Sequence, residues 1–184
     1  VISRFDAEKV YSESLKWAEK YDAELAEMLK ADKEYALKIF GIERGNKKPR
    51  KDIAKWSDVK NEISYMYDEK FYAQNVNYEY QKISDSDKIK TILDEYINNY
   101  FDENDDKQEW FNKIKELAGK LGYASEVKEF KANPDKYEAH VGDVSTVLRI
   151  ALTGRSNTPD MYEIMEIMGK DRIKERFEHA KKEL

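Results

Sequence analysis

No cysteine occurs among the 184 residues, so disulfides and thiolate-bound metals are excluded. His140 and His179 are the only imidazoles, which leaves a zinc centre or a histidine-based catalytic triad without material. Any acid–base chemistry would rest on carboxylates. Glycine is scarce, 7 residues in all, and neither GxxxxGK[ST] nor GxGxxG is formed, so the common phosphate-cradling loops are missing. No Glu-x-x-His pair accompanies the acidic helices, so a di-iron bundle lacks its ligands. No stretch approaches the roughly 18 apolar residues of a membrane span, and the first residues form neither a basic nor an apolar leader segment. A soluble, cytoplasmic protein is expected, with no membrane partner. Strand-like alternation bounded by turn residues is not convincing anywhere, and no repeat of 20–50 residues stands out.

What is present is an apolar content of 40%, with 13 Tyr, 7 Phe and 3 Trp, set in a chain that is 39% charged. That balance describes a folded globule with a hydrophilic exterior, long enough to bury a core in one domain or two small subdomains. The net charge of −5 is unexpected for a nucleic-acid binder. Residues 107–184 carry 15 Lys+Arg against 14 Asp+Glu, so the acidic excess lies in residues 1–106. Within that acidic half, Arg44, Lys47, Lys48, Arg50 and Lys51 cluster in eight residues without an acid. The chain opens on Val1 and enters a helical pattern almost at once, as a piece of a longer protein would.

The apolar spacing is helical throughout. Val10, Trp17, Tyr21, Leu25 and Met28 recur at steps of three, four and seven, which predicts a first helix of about six turns. A second helix spans Asp32 to Phe40, with Gly41 as a left-handed stop. Ile53 to Tyr67 gives a third, and Ile89 to Tyr100 a fourth capped by Ser84 or Ser86, the four forming one antiparallel cluster. The acidic run Asp102 to Asp106 is read as a subdomain boundary that also caps the next helix, which stops at Gly122. Asn133-Pro134 breaks a following short segment. Three helices close the chain: one from Asp143 or Ser145 to Gly154, one from the Thr158 cap and the first-turn Pro159 to Gly169, and a basic last one from Asp171. The three tryptophans, Trp17, Trp56 and Trp110, lie on apolar stripes and are read as core. An all-α fold of eight to nine helices in two packed subdomains, 1–106 and 107–184, is expected.

The segment Leu148 to Gly169, LRIALTGRSNTPDMYEIMEIMG, resembles the C-terminal anticodon-binding region of bacterial glutamyl-tRNA synthetases, whose pattern is close to LRxAxTGxxxTPxxxEIxxxLG. Met168 stands where the family usually has Leu, and Val147 where it commonly has Pro. DRIKERFEHAKK is similar to the family's basic last helix and EWFNKIKELAGKLG to the helix before the motif; VISRFDAEKVYSESLKWAEKYD resembles, more loosely, the stretch after the family's signature loop.

The resemblance implies a helical cage gripping the anticodon stem-loop of tRNA(Glu). Residues 1–106 would follow the catalytic core and contact the stem, and 107–184 would be the second anticodon-binding subdomain. The fragment itself would hold no cofactor and no metal. ATP and Mg²⁺ belong to a separate N-terminal catalytic domain, its covalent partner, since the His-Ile-Gly-His and Lys-Met-Ser-Lys-Ser elements that hold ATP are missing here. A monomer is expected. By the same resemblance Arg149, Thr158, Pro159 and Met161 lie at the anticodon bases.

Each of these residues also has a plain structural reading. Thr158-Pro159 starts a helix, Arg149 can be a solvated side chain, and Arg44 to Lys51 can be a solvated loop instead of a phosphate grip. A helical protein-interaction or scaffold module, with no RNA role, is the competing function that the acidic balance favours.

Overall fold

Aspartates punctuate the first forty residues. In the computed structural model, which describes all residues from Val1 to Leu184, helix α1 (Ala7–Tyr21) starts on Asp6, whose carboxylate accepts from the Lys9 N–H at 2.8 Å. Asp22 then leaves helical geometry (φ −150°, ψ 89°) and caps α2 (Ala23–Ala31) through the Leu25 N–H at 3.2 Å. Asp32 repeats the device for α3 (Lys33–Phe40), accepting from the Tyr35 N–H at 3.0 Å. The expected six-turn helix is therefore two helices. A side-chain acceptor placed just before a new first turn satisfies donors that would otherwise be orphaned, which makes a break at Asp22 affordable. The helix α3 ends at Gly41 as expected, but Gly41 is right-handed (φ −77°), and the positive-φ residues of the turn are Glu43 (φ 53°) and Gly45 (φ 90°).

The predicted third helix is fragmented into a 3₁₀ turn Trp56–Asp58, α4 (Val59–Ile63) and a second 3₁₀ turn Ser64–Met66, followed by α5 (Asp68–Ala73). The Ser64 hydroxyl donates back to the Lys60 carbonyl, a bond that competes with continued helix.

Backbone packing groups the chain into two compact units, Val1–Val76 and Asn77–Leu184. The division falls about twenty-five residues before the acidic run. That run is not a linker: Asp105 is buried within the second unit, paired to Lys113 at 2.5 Å, and its carbonyl accepts from the Tyr162 hydroxyl at 2.9 Å. The fourth helix of the sequence reading likewise belongs to the second unit, not to a four-helix cluster.

In the first unit α1 packs on α2 and α3 around Val10, Ala18, Leu25, Leu29, Ala36 and Phe40. Tyr11 donates to the Leu29 carbonyl at 3.0 Å, and Tyr35 to the Met66 carbonyl. Trp17 and Trp56 are only half-buried, against Tyr21 and Phe5 respectively.

In the second unit α6 (Ser86–Glu95) is capped by Asp85, not by Ser84 or Ser86, and runs into a wide π-type turn, Tyr96–Tyr100. Asp106 caps α7 (Lys107–Lys120), as the acidic run predicted, and Asn133 ends the short α8 (Val127–Ala132). The core helix is α9 (Val141–Thr153), packed against α6, α7 and α10 and burying Val144, Leu148, Ile150, Ala151 and Leu152. His140 begins it: its Nδ1 accepts from the Gly142 N–H at 2.9 Å while Asp143 accepts from the His140 N–H at 2.9 Å. Trp110, Tyr96 and Phe177 complete the core. The chain closes with α10 (Met161–Lys181), two helical halves that meet at non-helical Gly169 (φ 77°, ψ 166°), where the sequence places the stop between the last two helices. Ten α-helices form, no strand, and one isolated parallel bridge between Ala124 and His140.

Candidate nucleic-acid interface

The junction between α9 and α10 is built by small residues at the helix end. Thr153 is buried; its hydroxyl donates to the Arg149 carbonyl at 2.8 Å and accepts from the Arg155 N–H at 3.1 Å. Gly154 takes the left-handed conformation (φ 73°) that ends α9, a geometry a Cβ would strain. Arg155, Ser156 and Asn157 form the outward turn, and Asp160 restarts the helix by accepting from the Glu163 N–H at 3.1 Å while pairing with Lys107 at 2.9 Å. Asp160, not Thr158, is thus the cap, which moves Pro159 out of the first turn. From below, the fully buried Arg176 of α10 donates from Nη1 to the Leu152 carbonyl at 3.0 Å. A cation on a C-terminal carbonyl of α9 fixes the end of the helix where the turn begins.

The four residues predicted to meet bases are gathered at this junction but presented differently. Arg149 is half-buried beside the fully buried Leu148 and Ile150, and Pro159 is half-exposed. Thr158 is 4% exposed and Met161 2%, so their side chains shape the turn from inside it.

The basic loop of the first unit is less basic than its sequence. Arg44 is turned inward, Nε on the Phe40 carbonyl at 2.6 Å and Nη1 on the carbonyls of Ile2 and Phe5 at 3.1 and 3.0 Å. Burial lowers its pKa, partly opposed by Asp6. Arg50 makes a bidentate pair with Asp52 at 2.7 and 3.0 Å, with Glu43 at 3.7 Å, and the Asp52 bond raises its pKa. The acids that neutralise Arg50 stand just outside the acid-free stretch. Lys47, Lys48 and Lys51 are exposed and engaged in no ion pair, so they are the cations this loop offers to a polyanion.

A part of the site that the sequence reading missed lies across the turn. Asn77, Glu79 and Gln81 face Ile150, Gly154, Arg155, Ser156 and Asn157 over a cleft of about 310 Å³. The segment carrying them alternates: Asn77, Glu79 and Gln81 are exposed, whereas Val76, Tyr78 and Tyr80 are half-buried. The two tyrosine rings lie nearly parallel, 12° apart with centroids at 6.2 Å, and burial pushes the Tyr80 hydroxyl up to about 12. The period-two pattern Val76 to Gln81 was the available signal. No group of three or more His, Asp or Glu converges as a metal site, and no helix is long and apolar enough to cross a membrane.

A family profile described as an anticodon binding domain matches residues 14–181. A glutamate–tRNA ligase of Acetivibrio thermocellus is 41% identical over 183 residues, taking in 97% of this chain and 32% of the relative. One from Sorangium cellulosum is 39% identical over 180 residues, with 96% and 31% covered, and one from Clostridium perfringens 40% over 178 residues, with 96% and 32% covered. The chain spans about a third of the length of these curated relatives and corresponds to their C-terminal part. With 168 residues under one profile, all-helical architecture and an arginine-bearing turn at the end of the core helix, the chain belongs to the anticodon-binding domain family.

Proposed function

We propose that this chain reads the anticodon stem-loop of tRNA(Glu) on behalf of a longer, monomeric, cytoplasmic glutamate–tRNA ligase, and performs no catalysis by itself. The observation that carries the reading is the match of nearly the whole chain to an anticodon-binding profile, together with Arg149 and Arg155 at one turn. Anticodon bases can be unstacked and contacted at their Watson–Crick edges, for which a planar guanidinium is well shaped. Arg149 and Pro159 are assigned to base contact, Thr158 and Met161 to the form of the turn. Lys47, Lys48 and Lys51 are assigned to phosphates, with Arg44 and Arg50 holding the loop that carries them. The ATP and Mg²⁺ of the ligase reaction would act in an N-terminal catalytic domain preceding this chain.

The test is a titration against the tRNA(Glu) anticodon stem-loop and a scrambled loop, at low and moderate salt, with Arg149→Ala alongside. Selective, salt-sensitive binding that the substitution weakens by about tenfold is expected. Equal affinity for both loops would overturn the reading and favour the helical protein-interaction module.

A further inference from the structure

The cleft between the 77–81 segment and the Arg155 turn has a composition that phosphate binding does not explain. Its polar lining is mostly amide and hydroxyl, from Asn77, Gln81, Ser156 and Asn157, with one cation, Arg155, and one anion, Glu79. A carboxylate at a phosphate site would repel its ligand, and surface amides hold phosphate weakly. The same mixture is what reads the edge of a nucleobase: amides and guanidinium donate to ring nitrogens and carbonyls, and a carboxylate accepts only from N–H donors. Its volume, about 310 Å³, sits at the small end of the roughly 300–1,000 Å³ range of small-ligand sites. One base fits that scale; a stacked pair does not.

Glu79 is held for this use. Its Oε1 accepts from Asn77 Nδ2 at 3.0 Å, and the side chains on either side of it, Tyr78 and Tyr80, are anchored as a parallel pair on the opposite face of the segment. An extended segment alternates its side chains, so anchoring the tyrosines aims 77, 79 and 81 together. On the opposing wall, the Arg155 backbone is fixed by Thr153 and Gly154.

We propose that this cleft receives one unstacked nucleobase of the anticodon loop, and that Glu79 selects there for a base carrying an exocyclic amino group, cytosine, adenine or guanine, over uracil. An amino group gives Glu79 a donor at the rim of the ring. Uracil has no amino group, and its one edge donor, the ring N3–H, lies between two carbonyl oxygens that face the carboxylate unfavourably. The inference rests on the anticodon reading proposed above and adds a specificity determinant to it.

The experiment uses the whole chain and a panel of stem-loops in which each anticodon position is varied through the four bases, with Glu79→Gln and Arg155→Ala measured in parallel. The wild-type chain is expected to disfavour uracil at one position by about tenfold or more. Glu79→Gln, which supplies both a donor and an acceptor, is expected to erase that penalty while leaving the salt dependence and the helical circular dichroism unchanged. Arg155→Ala is expected to weaken every stem-loop of the panel. If the wild-type chain distinguishes stem-loops but Glu79→Gln has an identical base profile, Glu79 is no selector and only this inference is overturned. If the wild-type chain does not separate an anticodon loop from a scrambled one, both readings fall.

Discussion

Two arginines and three lysines in one loop illustrate what a residue's type does and does not decide. Arg44 spends its donors on three backbone carbonyls of the first unit, and hydrogen bonds from a charged group contribute about 1.5–3 kcal/mol each. Arg44→Ala is therefore expected to lower stability by about 2–3 kcal/mol, read from urea unfolding, with no change in the salt slope of RNA binding. Replacing Lys47, Lys48 and Lys51 together by Ala should do the reverse: stability unchanged, and a log–log salt slope shallower by about 2 for three lost phosphate contacts. Counting charge identified the loop but not these roles. The partners of Arg50 are Glu43, which precedes the acid-free stretch, and Asp52, which follows it, and the carbonyls that Arg44 reaches lie some forty residues away at Ile2 and Phe5. Arg155 was legible only as one more position inside a matching motif, because its cleft is completed by residues more than seventy positions upstream.

Helix ends were legible where glycine, proline or asparagine marks them, at Gly122, Asn133 and Gly154, and less so where aspartate does. Tyr21, Leu25 and Met28 keep helical spacing straight across Asp22, so periodicity reads through a break that only the cap reveals. Asp22 also meets Lys60 at 2.9 Å. Burial raises the Asp22 pKa, but the Lys60 hydrogen bond and the Leu25 and Glu24 amides outweigh it, so the folded value lies below the ordinary one. That contribution is complete above the unfolded pKa, near 3.9, and is lost as the pH falls through the lower folded value. Asp22→Asn keeps the cap geometry and loses the charge. Its thermal midpoint should lie below that of the wild type at pH 7 and converge on it as the pH falls through the lowered folded pKa of Asp22. Asp22→Ala, which also removes the cap, should cost about 1 kcal/mol more. At the other end of the chain, Arg176→Met strips the Leu152 carbonyl of its buried cation. A loss of about 3 kcal/mol is expected, with faster amide exchange at residues 150–155 and weaker stem-loop binding.

For the molecule as a whole, an acidic balance of −5 on an RNA-binding family member sets how it meets its ligand. Local cations can grip phosphate at contact, yet at physiological ionic strength charges are screened beyond about 8 Å, and the net field attracts no polyanion from afar. The association rate constant for an anticodon stem-loop is expected near the unsteered range of about 10⁵–10⁶ M⁻¹s⁻¹, with most of the salt effect in dissociation; stopped-flow mixing at two ionic strengths would measure both. The all-helical class was legible from period alone, whereas the division at Val76 was not, because the conspicuous acidic run turned out to be packed inside the second unit.

The kink at Gly169 has a bearing on that whole second unit. Before it, α10 turns Met161, Ile164, Met165 and Met168 inward; after it, Ile173, Arg176, Phe177 and Ala180. Met168 and Ile173 are five residues apart, which on an unbroken helix places them about 140° out of phase. Gly169, in a backbone region essentially closed to other residues, resets the phase, so one segment closes the core twice, as two offset threads on a single screw. A side chain there would force the two threads into one pitch. The strain would fall on the seating of both halves, and the one that carries Arg176 also supports the α9 terminus.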